Sequence, residues 1–69
     1  MYRNARAEMI RAGLNLDKVA SEMGKTIATV SNWLTGRQAI TFENAVAFKK
    51  VVKSDLPLEV LFEKFEEVG

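Results

Sequence analysis

The segment from Asn15 to Gly36 constrains this chain most, because it predicts two short helices separated by a tight turn. Asn15 is a favoured N-cap, since its side-chain oxygen can accept a hydrogen bond from a first-turn amide, and Thr26 can cap the second helix in the same way. Apolar residues recur at helical spacing in both halves: Leu16, Val19, Ala20 and Met23, then Ile27, Val30, Trp33 and Leu34. Gly24 and Gly36 stand where each helix must end in the left-handed conformation. The pattern predicts helices over 16–23 and about 27–35, which together form a helix-turn-helix.

Residues in and around this segment also match a known pattern. They are Gly13, Leu14, Asn15, Val19, Ala20, Met23, Gly24, Thr26, Val30, Ser31, Trp33 and Gly36. With these residues the chain resembles the XRE family, the DNA-binding domains of the phage Cro and repressor type. Residues 39–41 lead into a fourth helix and residues 56–62 resemble the family's fifth helix, so the similarity covers essentially the whole chain. The resemblance implies one all-α domain over residues 1–69, a five-helix lambda-repressor-like bundle whose helix over 27–35 enters the major groove of DNA.

Two positions depart from the family pattern. Many members carry Gln at the first residue of the second helix, where it contacts a phosphate, whereas this chain has Leu16. Several members pair an Arg of the first helix with a Glu of the third, and the corresponding residues here are Met9 and Leu34. Because an apolar pair can replace a buried ion pair without loss of stability, the second departure concerns packing and not function.

Three more helices are predicted outside the helix-turn-helix. The first covers residues 1–12, or begins near Tyr2, and its apolar face holds Ala5, Met9 and Ala12. Another covers residues 42–52, with Thr41 as its N-cap. Its predicted core face is formed by Ala45, Phe48, Val51 and Val52, with Phe42 near the start. Pro57 fits the first turn of a last helix that reaches about Val68. The apolar stripe of that helix is Leu58, Leu61, Phe62, Phe65 and Val68.

The composition excludes several classes of function. A chain of 69 residues forms one domain. It contains no Cys and no His, which removes disulfides, the usual zinc ligands and the usual nucleophile and base of an enzyme. Its acidic residues show no paired arrangement, and there is no glycine-rich phosphate loop. Since signal-peptide and long apolar segments are also missing, we expect a cytoplasmic protein that is not an enzyme and uses no metal, cofactor or membrane. The family resemblance implies that the protein is bacterial or phage-encoded.

Charge is distributed unevenly along the chain. Residues 1–53 carry a net charge of +5, and residues 54–69 carry −4. This asymmetry suits a DNA-facing body whose far end stays away from the phosphates, although each part alone is also typical of an ordinary solvated surface.

Candidate DNA contacts follow from the faces of the predicted helix over 27–35. The outward residues predicted to contact base edges are Ile27, Ala28, Ser31 and Asn32. Asn32 can bind an adenine bidentately, and the two apolar residues can contact a thymine methyl. The residues predicted to contact the DNA backbone are Asn15, Lys18, Lys25, Thr29, Arg37 and Gln38. The family resemblance implies base contacts at the same positions of this helix.

Simpler interpretations compete with these assignments. Ile27 could instead close the core beside Val30, and Asn32 could be an ordinary solvated residue. Trp33 fits the core better than a stacking surface for bases. Arg3, Arg6 and Arg11 are either solvated or include one residue that reaches a phosphate.

The sequence thus favours a DNA-binding transcriptional regulator, a repressor acting as a homodimer on a two-fold operator. Phe65 and Val68 are predicted at the dimer interface, because the last helix carries more apolar residues than a small domain is expected to bury. The alternative is that they fold back onto the first helix near Tyr2 and Ala5. A second functional hypothesis is a helix-turn-helix module that binds a protein, such as an antitoxin or the partner of an antirepressor.

Overall fold

A computed structural model of the chain describes residues 2–64. In this range the chain forms five helices and no strand: α1 (Arg3–Arg11), α2 (Leu16–Met23), α3 (Ile27–Thr35), α4 (Phe42–Val52) and α5 (Leu58–Leu61). The predicted all-α, five-helix class is confirmed. The predicted bounds of α2, α3 and α4 agree with the structure, and α1 begins one residue after Tyr2.

The three central helices begin at the predicted N-caps. The Asn15 side chain accepts a hydrogen bond from the Lys18 amide at 2.9 Å. The Thr26 hydroxyl accepts one from the Thr29 amide at 3.2 Å, and the Thr41 hydroxyl accepts one from the Asn44 amide at 3.2 Å. Each cap satisfies a first-turn amide that has no partner within its own helix, which is why these helices start where they do.

The predicted glycine stops are also present. Gly24 ends α2 with φ of 67°, and Gly36 ends α3 with φ of 84°. Both values lie in the left-handed region, which costs glycine little and other residues more. The end of α4 differs, because Lys53 adopts φ of 53° there without being a glycine.

A single core lies between the helices. Its buried residues are Ala5, Met9, Val19, Ala20, Val30, Trp33, Leu34, Phe48, Val52 and Leu61. The most extensive contacts between helices join α2 to α3 and α2 to α4, so α2 lies between the other two helices. The chain start is fastened to the same unit, since the Tyr2 amide donates to the Leu34 carbonyl at 2.9 Å and satisfies an end carbonyl of α3.

Two predictions about the later helices were wrong. The last helix ends at Leu61 and does not continue through residues 62–64, while Phe65 and Val68 lie outside the described residues. Phe62 leaves helical geometry because its ring packs edge-on against Tyr2 and Phe48, at centroid distances of 5.5 and 5.6 Å. Phe42, predicted near the core, is 74% exposed because nothing in residues 2–64 covers the first turn of α4.

A polar network joins α1 to the end of α4. The Arg11 guanidinium donates to Glu8 at 2.7 Å and to the carbonyls of Val52 and Lys53 at 3.1 and 3.3 Å. The hydroxyl of buried Ser54 donates to the second oxygen of Glu8 at 2.6 Å. Hydrogen bonds from Ser54 and Arg11 therefore hold the pKa of Glu8 below its ordinary value. The network therefore fixes the position of α1 relative to α4, the helix on which α2 packs.

Candidate nucleic-acid interface

Helix α3 has one buried face and one open face. Val30, Trp33 and Leu34 are buried, with 0%, 3% and 6% of their surfaces exposed. Ala28, on the opposite face, is exposed. Ile27 lies on the side of Val30 and Leu34 but in the first turn, where 48% of its surface is exposed. A helix held in this way presents a strip of side chains to the surroundings while its position is fixed by the core.

The remaining outward residues are partly covered. Thr29, Ser31 and Asn32 are each half-buried. Within residues 2–64 the side-chain amide of Asn32 has no hydrogen-bond partner, whereas its carbonyl accepts from the Gln38 amide at 3.1 Å. The backbone of Asn32 therefore anchors the following loop, and its side chain keeps its donors and acceptor for an external group.

The exposure values discriminate between the interpretations of two residues. Ile27 lies on the surface and not in the core, so packing against Val30 does not account for it. Trp33 is a core residue, as the simpler interpretation predicted. Of the four residues predicted to contact bases, Ile27 and Ala28 are exposed, and Ser31 and Asn32 are half-buried.

Cations stand at both ends of α3. Lys25 lies in the turn before it and Arg37 in the loop after it, and both side chains are exposed. Gln38 follows Arg37 and is exposed as well, and Lys18 is exposed on α2. Lys25, Arg37 and Gln38 are therefore exposed near the two ends of α3, and Lys18 is exposed on the preceding helix.

Three predicted backbone contacts also have roles within the fold. The side-chain oxygen Oδ1 of Asn15 accepts the capping hydrogen bond of α2, which leaves the side-chain NH2 group available as a donor. Thr29 donates its amide to the Thr26 hydroxyl, and the two hydroxyl oxygens lie 2.9 Å apart in a further hydrogen bond. Gln38 donates its amide to the carbonyl of Asn32, so only its side chain remains available.

A small cavity lies where α1, α2 and α3 meet. Its volume is about 220 Å³, and its lining is Arg6, Met9, Leu16, Ser31, Leu34 and Thr35. Met9 and Leu34 are each 6% exposed, so the apolar pair at the family's ion-pair positions is buried as a packing contact. Sequence reasoning did not find this cavity or the partners of Arg11, because both depend on residues far apart in the chain.

A helix-turn-helix whose second helix has an open face is typical of DNA-binding domains that place this helix in the major groove. A family model described as helix-turn-helix matches residues 6–56, which is most of the chain. The chain belongs to this helix-turn-helix family, the XRE or Cro/C1 type, and it has the lambda-repressor-like fold. No match was found among curated proteins or among solved structures.

Membership of this family indicates DNA binding and a role in transcription regulation, and the family is not typically enzymatic. Among residues 2–64, no group of three or more acidic, His or Cys residues is placed to hold a metal ion. No helix in the described part of the chain has the length and apolar character needed to cross a membrane.

Proposed function

We propose that this protein is a sequence-specific transcriptional repressor that binds a two-fold operator as a homodimer, with α3 in the major groove. The observation that carries the proposal is the division of α3 into a buried face and an open face with exposed cations at its two ends. A helix of about 10–12 Å diameter fits a major groove about 12 Å wide.

Specificity is assigned to the open face of α3. Asn32 would bind an adenine through N6 and N7, and Ile27 and Ala28 would contact a thymine methyl. Ser31 can donate to or accept from several base edges, so it adds a contact without fixing the base. Affinity would come from phosphates neutralised by Lys25, Arg37 and Lys18, with polar contacts from Asn15, Thr29 and Gln38.

Dimer formation is proposed because one α3 contacts too few base pairs to select a site. Two copies related by a two-fold axis would place their α3 helices about 34 Å apart along the duplex. Repression requires only that the bound protein occlude the operator, so we favour it over activation. Such a regulator would act in the cytoplasm, where bacterial or phage DNA is transcribed.

The rival hypothesis of a protein-binding module has lost part of its support. It depended on a long apolar stripe over α5 and beyond, of which a part was expected to be exposed. Leu61 is fully buried, and Leu58 and Phe62 pack against the core. Of that stripe, Phe65 and Val68 lie outside the described residues and stay candidates for a partner surface.

Selection of bound DNA from a random pool tests the proposed function. We expect enrichment of two inverted half-sites whose centres lie about one helical turn, roughly 34 Å, apart. Enrichment of a single half-site would contradict the homodimer while leaving DNA binding intact. A pool without enrichment, from a protein shown to be folded by circular dichroism, would contradict sequence-specific binding itself.

A further inference from the structure

The cavity between α1, α2 and α3 borders the open face of α3. Its apolar residues Met9 and Leu34 are buried and Leu16 is half-buried, so they form its floor. Arg6 and Thr35 are exposed and Ser31 is half-buried, so they form its rim. Ser31 is also a predicted base contact, and a ligand bound along α3 would therefore pass the mouth of this cavity.

Arg6 differs from the other arginines of α1 in its surroundings. Arg11 is committed to the network with Glu8 and to the carbonyls that end α4. Arg3 does not line the cavity. The Arg6 guanidinium has no hydrogen-bond or ion-pair partner within residues 2–64, and it is the one charged group on the cavity rim. Arg6 therefore lies beside Ser31 because α1 packs on α3, and no hydrogen bond or ion pair of Arg6 within that range holds it there.

We propose that Arg6 binds a phosphate of the DNA backbone at the mouth of this cavity. The proposal rests on the DNA binding proposed above and adds a contact from α1, a helix outside the helix-turn-helix. When α3 fills the groove, the elements beside it meet the sugar–phosphate walls, and the rim of the cavity is such an element. A guanidinium suits a phosphate because two parallel N–H groups can donate to two of its oxygens.

The apolar floor explains how Arg6 could act without a protein partner. The methylene stem of an arginine can lie on apolar surface while the charged group stays in water. Here Met9, Leu16 and Leu34 supply that surface, and Leu16 adds no polar group that would compete for the guanidinium. A stem lying on that surface would have less freedom to lose when the phosphate binds.

The test measures how DNA affinity depends on salt for the full chain and for Arg6→Ala. A duplex of arbitrary sequence and the selected operator are used in parallel. Removal of one phosphate contact should lower the salt slope by about one unit, so the fall in affinity between 50 and 200 mM salt should shrink about 3.5-fold. Both duplexes should respond alike, since a phosphate contact carries no sequence information.

Two variants serve as controls. Arg6→Lys keeps the charge and should retain a slope close to that of the unmodified chain. Lys50→Ala removes an exposed cation from the last turn of α4, outside the predicted interface, and should leave the slope unchanged. A variant counts only if its circular dichroism spectrum matches the unmodified chain, and Arg6→Gln replaces Arg6→Ala if truncation of the stem disturbs folding.

The outcomes separate this inference from the proposed function. An unmodified chain that binds DNA with a steep salt dependence, which Arg6→Ala leaves intact, would overturn the Arg6 assignment alone. An equal decrease for Lys50→Ala and Arg6→Ala would also overturn it, because it would indicate a general charge effect. If the unmodified folded chain bound neither duplex, the proposed function would fail and this inference with it.

Discussion

Replacement of Gly24 by alanine isolates the contribution of one backbone angle to the helix-turn-helix. Gly24 holds φ of 67°, a left-handed value that costs other L-residues about 1–2 kcal/mol. A Cβ built at this position meets no atom within 4 Å, so no steric clash adds to that cost. The restricted unfolded chain of the alanine variant returns about 0.4–1 kcal/mol. The expected net destabilisation is therefore about 1 kcal/mol.

Thermal unfolding followed by circular dichroism measures this change. For a domain of this size, about 1 kcal/mol corresponds to a decrease of about 4–8 °C in the unfolding midpoint. Gly13→Ala is a matched control, because Gly13 has φ of 73° and also has open space around its Cβ position. Gly24→Asn should cost less than Gly24→Ala, since Asn tolerates the left-handed region better.

DNA affinity supplies a second measurement on the same variant. Well below the unfolding midpoint, Gly24→Ala should bind DNA nearly as well as the unmodified chain, because the turn keeps its conformation at a cost in energy. A decrease of more than about 3 kcal/mol in the free energy of unfolding would refute the argument, because the strain of one backbone angle does not reach that value. A midpoint equal to that of the unmodified chain would refute the left-handed geometry itself.

Three other substitutions test the proposed DNA interface, the residues beyond 64 and the polar network between α1 and α4. Asn32→Ala should cost about 1–3 kcal/mol on the preferred operator and far less on unrelated DNA, and equal losses in titrations of both would make Asn32 a structural residue or a backbone contact. Phe65→Glu should give a folded monomer with weakened operator binding, and circular dichroism and sedimentation measure its folding and its oligomeric state. An unfolded chain would indicate that Phe65 is a core residue, and a folded dimer would contradict both interpretations. Because the pKa of Glu8 is lowered, its ionised form stabilises the fold above the ordinary glutamate pKa, and this stabilisation disappears as the pH falls through the lowered value. Glu8→Gln should therefore lower the unfolding midpoint at pH 7 and flatten its decrease with acidification, and parallel pH profiles for the two proteins would count against a stabilising carboxylate.

Local sequence signals were sufficient for the central helices. Asn15, Thr26 and Thr41 cap their own helices through hydrogen bonds to residues three positions later, and Gly24 and Gly36 end theirs through their own backbone angles. Such interactions involve only residues close together in the chain, so a local sequence pattern is sufficient to predict them.

The last helix could not be predicted in the same way. Its apolar spacing continues past Leu61, yet Phe62 turns out of the helix to meet Tyr2 and Phe48. These contacts join distant parts of the chain, and helical spacing contains no information about them. Phe42 illustrates the converse, since it has the spacing of a core residue but lies where no described element covers it.

The candidate interface was also predictable only in part. The open and buried faces of α3 follow from its apolar spacing, and the structure confirms the burial of Val30, Trp33 and Leu34. The sequence did not distinguish among the arginines of α1. The distinction arises from a hydrogen bond between Arg11 and Val52, which are 41 positions apart, and from the approach of α1 to α3 around Arg6.

The hydrogen bond from the Tyr2 amide to the Leu34 carbonyl has a practical consequence for experiments on this protein. At 2.9 Å it holds the beginning of the chain against the carboxyl end of α3, the helix proposed to enter DNA. If α3 enters the major groove as proposed, an affinity tag or fluorescent protein fused before Tyr2 would leave the domain at the carboxyl end of that helix. A histidine-rich or cationic tag at that end would add its own attraction to phosphates and distort the measured salt slope.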